Sequence, residues 1–248
     1  MNSIIEVLLS HRSVRDYEDK PLTDEQIETI VKCAQAGSTS SFIQAYSIIG
    51  VTDSNIKEEL SKISGHEHVA KNGHLFIFCA DLYRHKQIGE LENKEVLDSI
   101  QSTEKFMVAV IDATIAAQNA AIAAESMGLG ICYIGGLRND LHKVCELLEI
   151  PDYVIPLFGM TVGYPKKIND LKPRLPLEHI YHHNRYQSDP EIIASQLNDY
   201  NKTIENYYHN RTNGARRETW TEQISRSLSK KVRTYIHNFV KEKGLNKQ

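Results

Sequence analysis

The chain has 248 residues, 41% of them hydrophobic and 25% charged, with a formal net charge of −3. That is the make-up of an ordinary globular protein with enough apolar material for one large core. It contains no apolar run near the roughly 20 residues that span a bilayer, and no aromatic-interleaved basic motif of a nucleic-acid module, so neither membrane nor nucleic acid is an expected partner.

Met1-Asn2-Ser3 leads straight into an amphipathic segment rather than a signal peptide. Cys33, Cys79, Cys132 and Cys145 are widely spaced, without Cys-x-x-Cys, and three sit in apolar surroundings. They read as buried small hydrophobes of a reducing compartment, so the expected location is cytoplasmic. The net charge hides an asymmetry. Residues 201–248 carry eleven Lys/Arg against four Asp/Glu, about +7, which leaves about −10 for the rest. A basic tail on an acidic body suits an anionic partner, or docking onto the body itself.

In chain order, Ser3 with Glu6 forms a capping-box pattern, and Ile4, Val7, Leu8 and Leu9 give an apolar stripe. A helix is therefore expected to run into His11-Arg12-Ser13-Val14-Arg15. Thr23 with Gln26 repeats the start signal, and the helix bearing Ile27, Ile30, Val31 and Ala34 stops at Gly37. Ser38-Thr39-Ser40-Ser41 is too rich in backbone-competing hydroxyls for a helix interior. It is either a plain loop or one that offers hydroxyls to a ligand.

Strands are expected at 46–52 and 75–80, with a helix carrying Ile56, Leu60 and Ile63 between them and ending at Gly65. A polar helical stretch follows from about Arg84 to Phe106. Asp112 to Met127 is an Ala-rich helix, small almost all round and hence buried on most sides or packed on a partner subunit. Ile131 to Ile134 is a short strand entering Gly135-Gly136. Asn139 is the expected cap of the next helix, which ends at Pro151. Another buried strand covers 157–162. The chain is irregular through Lys172-Pro173-Arg174. Beyond Pro190 it turns helical again, with a final helix spanning Ile224, Leu228, Val232, Ile236 and Phe239. Strands alternating with helices, and helices at both ends, give an α+β sandwich with helical extensions.

Several groups carry possible chemistry. The His11 to Arg15 cluster joins two guanidinium forks, an imidazole and a hydroxyl, the donors an oxyanion requires; alone, it is equally a solvated surface. Gly135-Gly136 after a strand lets the backbone approach a flat ligand, or simply makes a tight turn. Lys172 and Arg174 flank a stiff Pro, and Asn210 to Arg217 is a basic loop ahead of Trp220, the only Trp. Each is a phosphate clamp or a plain loop. Gly128-Leu129-Gly130 lacks the dinucleotide fingerprint, and neither a Gly-x-x-x-x-Gly-Lys-Ser/Thr phosphate loop nor Gly-x-Ser-x-Gly is present. His66/His68 and His179/His182/His183 lack the His-Glu-x-x-His pattern, and no metal site is expected.

Together these pieces resemble one family over essentially the whole chain: the oxygen-insensitive, NADPH-dependent nitroreductases and flavin reductases that carry FMN. The resemblance rests on His11-Arg12-Ser13-Val14-Arg15, Ser40-Ser41-Phe42-Ile43-Gln44, Ala117-Gln118-Asn119-Ala120 and Ala124-Glu125-Ser126-Met127-Gly128. It continues through Tyr133-Ile134-Gly135-Gly136-Leu137-Arg138-Asn139, Pro156-Leu157-Phe158-Gly159, Asp170-Leu171-Lys172-Pro173-Arg174 and Arg216-Arg217-Glu218-Thr219-Trp220.

What it implies is an α+β nitroreductase-like sandwich with a central, mostly antiparallel sheet flanked by helices, forming an intertwined homodimer. Residues 1–165 would be the FMN-binding core. Residues 166–248 would be a C-terminal extension of the same domain, with the NADPH-binding basic loop and dimer-embracing helices. By the same resemblance, His11, Arg12 and Ser13 with Lys172 and Arg174 cradle the FMN phosphate, and Arg15 lies near the pyrimidine edge of the ring. Gly135 and Gly136 face its N5–O4 side, Tyr133 and Ile134 line it, Thr39 and Ser40 supply hydroxyls, and His66 stands near a place where relatives use Gln.

Arg211, Arg216 and Arg233 are similar to the family's NADPH-phosphate ligands. No side chain is a dedicated catalytic acid or base; Arg15, Gly135 and Gly136 would tune the flavin, which carries the hydride. The implied activity is ping-pong reduction of small-molecule acceptors: nitroaromatics, quinones or flavins. The alternatives are an NADPH-dependent FMN reductase or NADPH oxidase using free flavin or oxygen, and, in another class, a flavin-binding sensor or carrier that uses the basic C-terminal segment.

Overall fold

The computed structural model describes residues 3–248; Met1 and Asn2, where the leader reading begins, lie outside the described residues. The first helix, α1 (Ser3–Leu9), runs into the His11 cluster. Helix α2 (Asp24–Gln35) starts as its sequence dictates: the Thr23 side chain accepts from Gln26 N–H, and the Gln26 side chain accepts from Thr23 N–H. Strand β1 (Tyr46–Val51) leads to α3 (Ser54–Ser64). Asp53 caps α3 by accepting from the N–H groups of Asn55 and Ile56, and Gly65, at φ +70°, ends it in the left-handed conformation that costs glycine least. Strand β2 (His74–Asp81) follows.

The expected continuous polar helix from Arg84 to Phe106 is not formed. The chain makes α4 (Tyr83–Leu91), turns through Asn93 at φ +50°, forms the short α5 (Leu97–Ile100), and only then enters α6 (Thr103–Ser126). Ser102 caps α6 by accepting from Lys105 N–H, so the Ala-rich helix begins nine residues before Asp112. Among the described helices α6 alone is long and apolar enough to cross a membrane. Its alanines 113, 116, 117, 120, 121 and 124 are nevertheless buried inside this fold.

Strand β3 (Gly130–Ile134) and α7 (Leu141–Leu147) come next. Asp140, not Asn139, caps α7, because it is the Asp140 carboxylate that accepts from Lys143 N–H. Asn139 instead donates to Ile63 O. Strand β4 (Val154–Gly163) completes a four-stranded, wholly antiparallel sheet in the order β1-β2-β4-β3. In β2, Leu75, Ile77 and Cys79 enter one apolar core while Phe76 and Phe78 enter the other, the two-residue period of a strand covered on both faces. The core holding Leu75 also takes Leu60 of α3 and Val144 of α7; the opposite one takes Ile30 of α2 and the α6 alanines. Each fully buried Leu, Ile or Phe here contributes about 1.5–3 kcal/mol.

Helices α8 (Pro190–Arg211), α9 (Trp220–Leu228) and α10 (Ile236–Glu242) follow the irregular segment. Arg211 is thus the last residue of α8 rather than part of the basic loop. The single final helix expected from Ile224 to Phe239 is broken between Leu228 and Ile236, where a polar, basic stretch with Arg233 at φ +55° intervenes.

The chain divides into two compact units. One runs up to Asn169 and takes in Arg233–Gln248; the other is Asp170–Val232. The division differs from a cut at 165 because the last residues return to the sheet: Phe239 is buried in its core and Lys243 O accepts from Tyr153 N–H at 2.7 Å. The second unit is built on Tyr200, Ile204 and Tyr208 of α8, with Trp220 edge-on to Tyr200 at 5.7 Å.

Candidate flavin and nucleotide site

In the first unit the His11 to Arg15 cluster is an edge segment strapped to the sheet. Val14 N–H donates to Ile131 O at 2.8 Å, and Ser13 bridges Ile131 in parallel. Two residues on, the buried Tyr17 hydroxyl donates to Val14 O at 2.7 Å and meets Thr161 Oγ1 at 2.9 Å. Burial pushes the Tyr17 phenol well above its ordinary range, so it stays a neutral anchor. The polar side chains are aimed by these main-chain ties. His11 Nδ1 contacts Glu125 Oε1 of α6 at 2.7 Å. Arg12 Nε donates to Ser10 O at 2.8 Å and Asn169 Nδ2 to Ser13 O at 3.3 Å.

Ser13 and Arg15 stand beside Cys132 of β3. Burial raises the Cys132 thiol, and Arg15 and Ser13 beside it pull part of that shift back. The His68 imidazole is pushed down to about 4, first by burial and then by the charges of His66 and Arg15. His66 and His68 lie with ring centroids 5.4 Å apart, and His68 Nε2 is buried without a hydrogen-bond partner among the described residues. Arg15 is thus close enough to act on both Cys132 and the neutral His68 imidazole, with His66 beside His68.

Gly135 and Gly136 open a tight turn (135–139), where the first N–H groups have no acceptor inside the turn itself. The structure gives Gly136 a packing reason that its sequence did not: a Cβ there would stand 2.5 Å from Ser64 O at the end of α3. At Gly135 a Cβ would meet the Arg138 guanidinium at 3.0 Å, and that guanidinium donates to Leu157 O at 2.7 Å. Tyr133 is half-buried, its hydroxyl donating to Ala117 O at 2.9 Å. The Ile134 side chain is wholly in the core, which leaves its main chain as the part that could line a ring.

The hydroxyl loop is held by a residue the sequence reading passed over. Asp112, fully buried in α6, accepts from Ser40 N–H and Ala45 N–H, both at 3.0 Å. Between those ends Ser41, Phe42 and Gln44 all take positive φ, from +50° to +59°, and the Phe42 side chain is 82% exposed. Left-handed conformations at three non-glycine residues cost free energy that the Asp112 carboxylate offsets. A carboxylate among the small apolar residues in the middle of α6 was the available signal. Thr39 stands at the start of this loop.

The remaining predicted residues are divided between the units. Lys172 and Arg174 lie in the second, both exposed. Lys172 Nζ is 5.8 Å from the Tyr208 ring centroid, and Pro173 between them accepts from Tyr200 Oη at 3.0 Å. Arg211 extends along α8 to the Tyr207 hydroxyl. Arg216 stacks 3.7 Å above the Tyr208 ring and donates through Nε to Glu218 at 3.0 Å. Arg233 belongs to the first unit, where its Nε donates to Asn139 Oδ1 at 3.0 Å, so the three cations expected to share a nucleotide phosphate do not share one unit.

This geometry meets the known proteins as follows. Residues 8–164 match the nitroreductase family and residues 172–248 match its C-terminal domain. The chain belongs to the nitroreductase family. It is 54% identical to the FMN reductase (NADPH) of Bacillus subtilis (strain 168) over 248 residues, covering all of both chains. Among solved nitroreductase folds, B. megaterium NfrA1 superposes with a TM-score of 0.98 at 55% identity, covering 99% of this chain and all of that one. The NADPH:FMN oxidoreductase from Vibrio harveyi complexed with NAD+ superposes with a TM-score of 0.88 at 37% identity over the full length of both. The fold expected from the sequence, an α+β nitroreductase sandwich on an antiparallel sheet, is the one observed.

Proposed function

We propose that this nitroreductase-family chain is an FMN-dependent oxidoreductase that draws on NADPH and reduces small acceptors such as nitroaromatics, quinones or free flavins. What supports the reading is the segment Ser13-Val14-Arg15, strapped to β3 with Arg15 acting on His68, together with the Gly136 turn packed on the end of α3. The donor set fits a flavin: hydroxyl and guanidinium groups for an anionic tail, a fixed cation beside a neutral imidazole for the polar ring edge, and a half-buried aromatic, Tyr133. Bound FMN supplies a two-electron carrier between nucleotide and acceptor.

The chain's own residues do the rest. His11, Arg12 and Ser13 hold the phosphate, with His11 oriented by Glu125. Arg15 would favour negative charge at the polar edge of the ring, and the tie of its neighbour Val14 to β3 would limit the reorganisation this needs. The main chain at Ile134, Gly135 and Gly136 sets the depth of the ring. Asp112 fixes the loop that offers Thr39 and Ser40. In the second unit, the Arg-rich end of α8 and the loop after it select the phosphorylated nucleotide, and Lys172 and Arg174 are further anion-binding candidates.

The chain acts as a homodimer in this reading: Ile5, Leu8 and Leu9 of α1 are all exposed, an apolar face that a second copy would cover. The four cysteines are free thiols, which suits the cytoplasm.

The test is steady-state NADPH oxidation by purified, FMN-loaded protein across a panel of nitroaromatic, quinone, free-flavin and oxygen acceptors. Turnover with several acceptors and a ping-pong pattern supports the reading. Turnover confined to free FMN would favour the FMN-reductase reading suggested by the relative from B. subtilis. No turnover with any acceptor would overturn both.

A further inference from the structure

The basic loop of the second unit is not an open cluster of cations. Glu218, with only 14% of its side chain exposed, sits between Arg216 and Arg226: one carboxylate oxygen contacts the Arg216 fork and the other contacts Arg226 Nη2. Arg216 is also held from its other face by Tyr208, at 3.7 Å. Both guanidinium groups thus converge on one internal carboxylate. Arg217, next in sequence, is exposed and has no ion pair among the described residues. Glu222, the other nearby acid, is occupied at the start of α9, accepting from Thr219 N–H at 2.9 Å.

A carboxylate between two arginines can occupy the place of a phosphate between the same pair, since each can present two oxygens to a planar guanidinium fork. We propose that Glu218 is an internal stand-in for the nucleotide phosphate, keeping Arg216 and Arg226 converged and being displaced when a dianionic phosphomonoester arrives. This inference rests on the nucleotide role given above to the same loop. It adds Arg226 to the phosphate-reading set and makes Glu218 a specificity-determining residue. A monoester carries more charge than the carboxylate and displaces it, whereas a ligand without that group leaves Glu218 in place. The stand-in therefore lowers affinity for the phosphorylated nucleotide by the fraction of closed loop and leaves the non-phosphorylated one, which does not compete for the two arginines, nearly unaffected.

The experiment titrates Trp220 fluorescence of the FMN-loaded protein with 2′,5′-ADP and with 5′-ADP, for the wild type, Glu218→Gln, Arg216→Ala and Arg226→Ala, alongside KM for NADPH and NADH. Breaking a half-sheltered ion pair corresponds to about fivefold in affinity. Glu218→Gln is expected to tighten 2′,5′-ADP and to lower the NADPH KM by about that factor, with 5′-ADP and NADH changed less than twofold. Arg216→Ala and Arg226→Ala are each expected to weaken 2′,5′-ADP. Unchanged or weaker 2′,5′-ADP binding in Glu218→Gln, with Arg216→Ala still losing discrimination, overturns the stand-in alone. If Arg216→Ala and Arg226→Ala both leave discrimination intact, the nucleotide role of the loop falls as well.

Discussion

The two units hold their polar groups in opposite ways. In the first, the segments assigned to the flavin are fixed by buried, fully paired anchors: Asp112 under the hydroxyl loop and the Tyr17–Thr161 pair under the Arg15 segment. In the second, the arginines assigned to the nucleotide are held by partly exposed ion pairs and ring stacking. A buried carboxylate with two N–H donors is costly to disturb, whereas an exposed pair exchanges for little. The contrast matches what each ligand needs. A resident cofactor calls for a rigid seat, and a nucleotide that binds and leaves calls for contacts that can be traded.

The largest effect should come from the buried anchor. Asp112→Ala leaves two buried N–H groups without an acceptor and releases three strained residues; a loss of about 2–5 kcal/mol is expected from the shift in urea midpoint. A loss under 0.5 kcal/mol would place Asp112 with the exposed pairs and erase the contrast. Arg15→Ala should come next, weakening FMN about 10- to 100-fold by flavin-fluorescence titration while shifting the melting temperature little, because Arg15 is exposed and the tie of Val14 to Ile131 remains.

Acid should act on the first unit before the second. His74 is buried with neither ring nitrogen paired among the described residues, and burial pushes it down to about 4. Because folding disfavours its protonated form, the stability it preserves is full above its ordinary value of 6.5 and declines as pH falls from there towards 4, by up to about 3 kcal/mol. His74→Leu should flatten that limb in denaturant titrations at pH 7 and pH 4.5. An identical slope in wild type and variant would remove His74 from the account. At the small end, Lys202→Ala breaks an exposed pair with Asp199 on α8 and should leave the urea midpoint unchanged.

Local signals carried the fold well. The Thr23 capping box, the Asp53–Gly65 limits of α3 and the apolar runs of β2 and β4 are written in neighbouring residues, and they form as their chemistry dictates. The misreadings arose where a distant partner or a one-residue choice decided. Asp140 rather than Asn139 became the cap of α7, because Asn139 is engaged by Ile63 O and Arg233. The last helix broke at polar residues that a spacing of apolar positions had bridged. At the site, residue types were legible and their restraints were not. Asp112 acts on groups 67 and 72 residues away, and Gly136 is required by the Ser64 carbonyl of another helix. No local pattern encodes such contacts.

The central claim, that the Arg15 segment and its neighbours seat a flavin reduced by NADPH, is tested most directly by the visible spectrum of the purified, FMN-supplemented and desalted protein before and after anaerobic NADPH. Retained flavin absorbance that bleaches on NADPH and returns with a quinone is the predicted result. A colourless protein after desalting, or bound flavin that NADPH does not bleach, would contradict it.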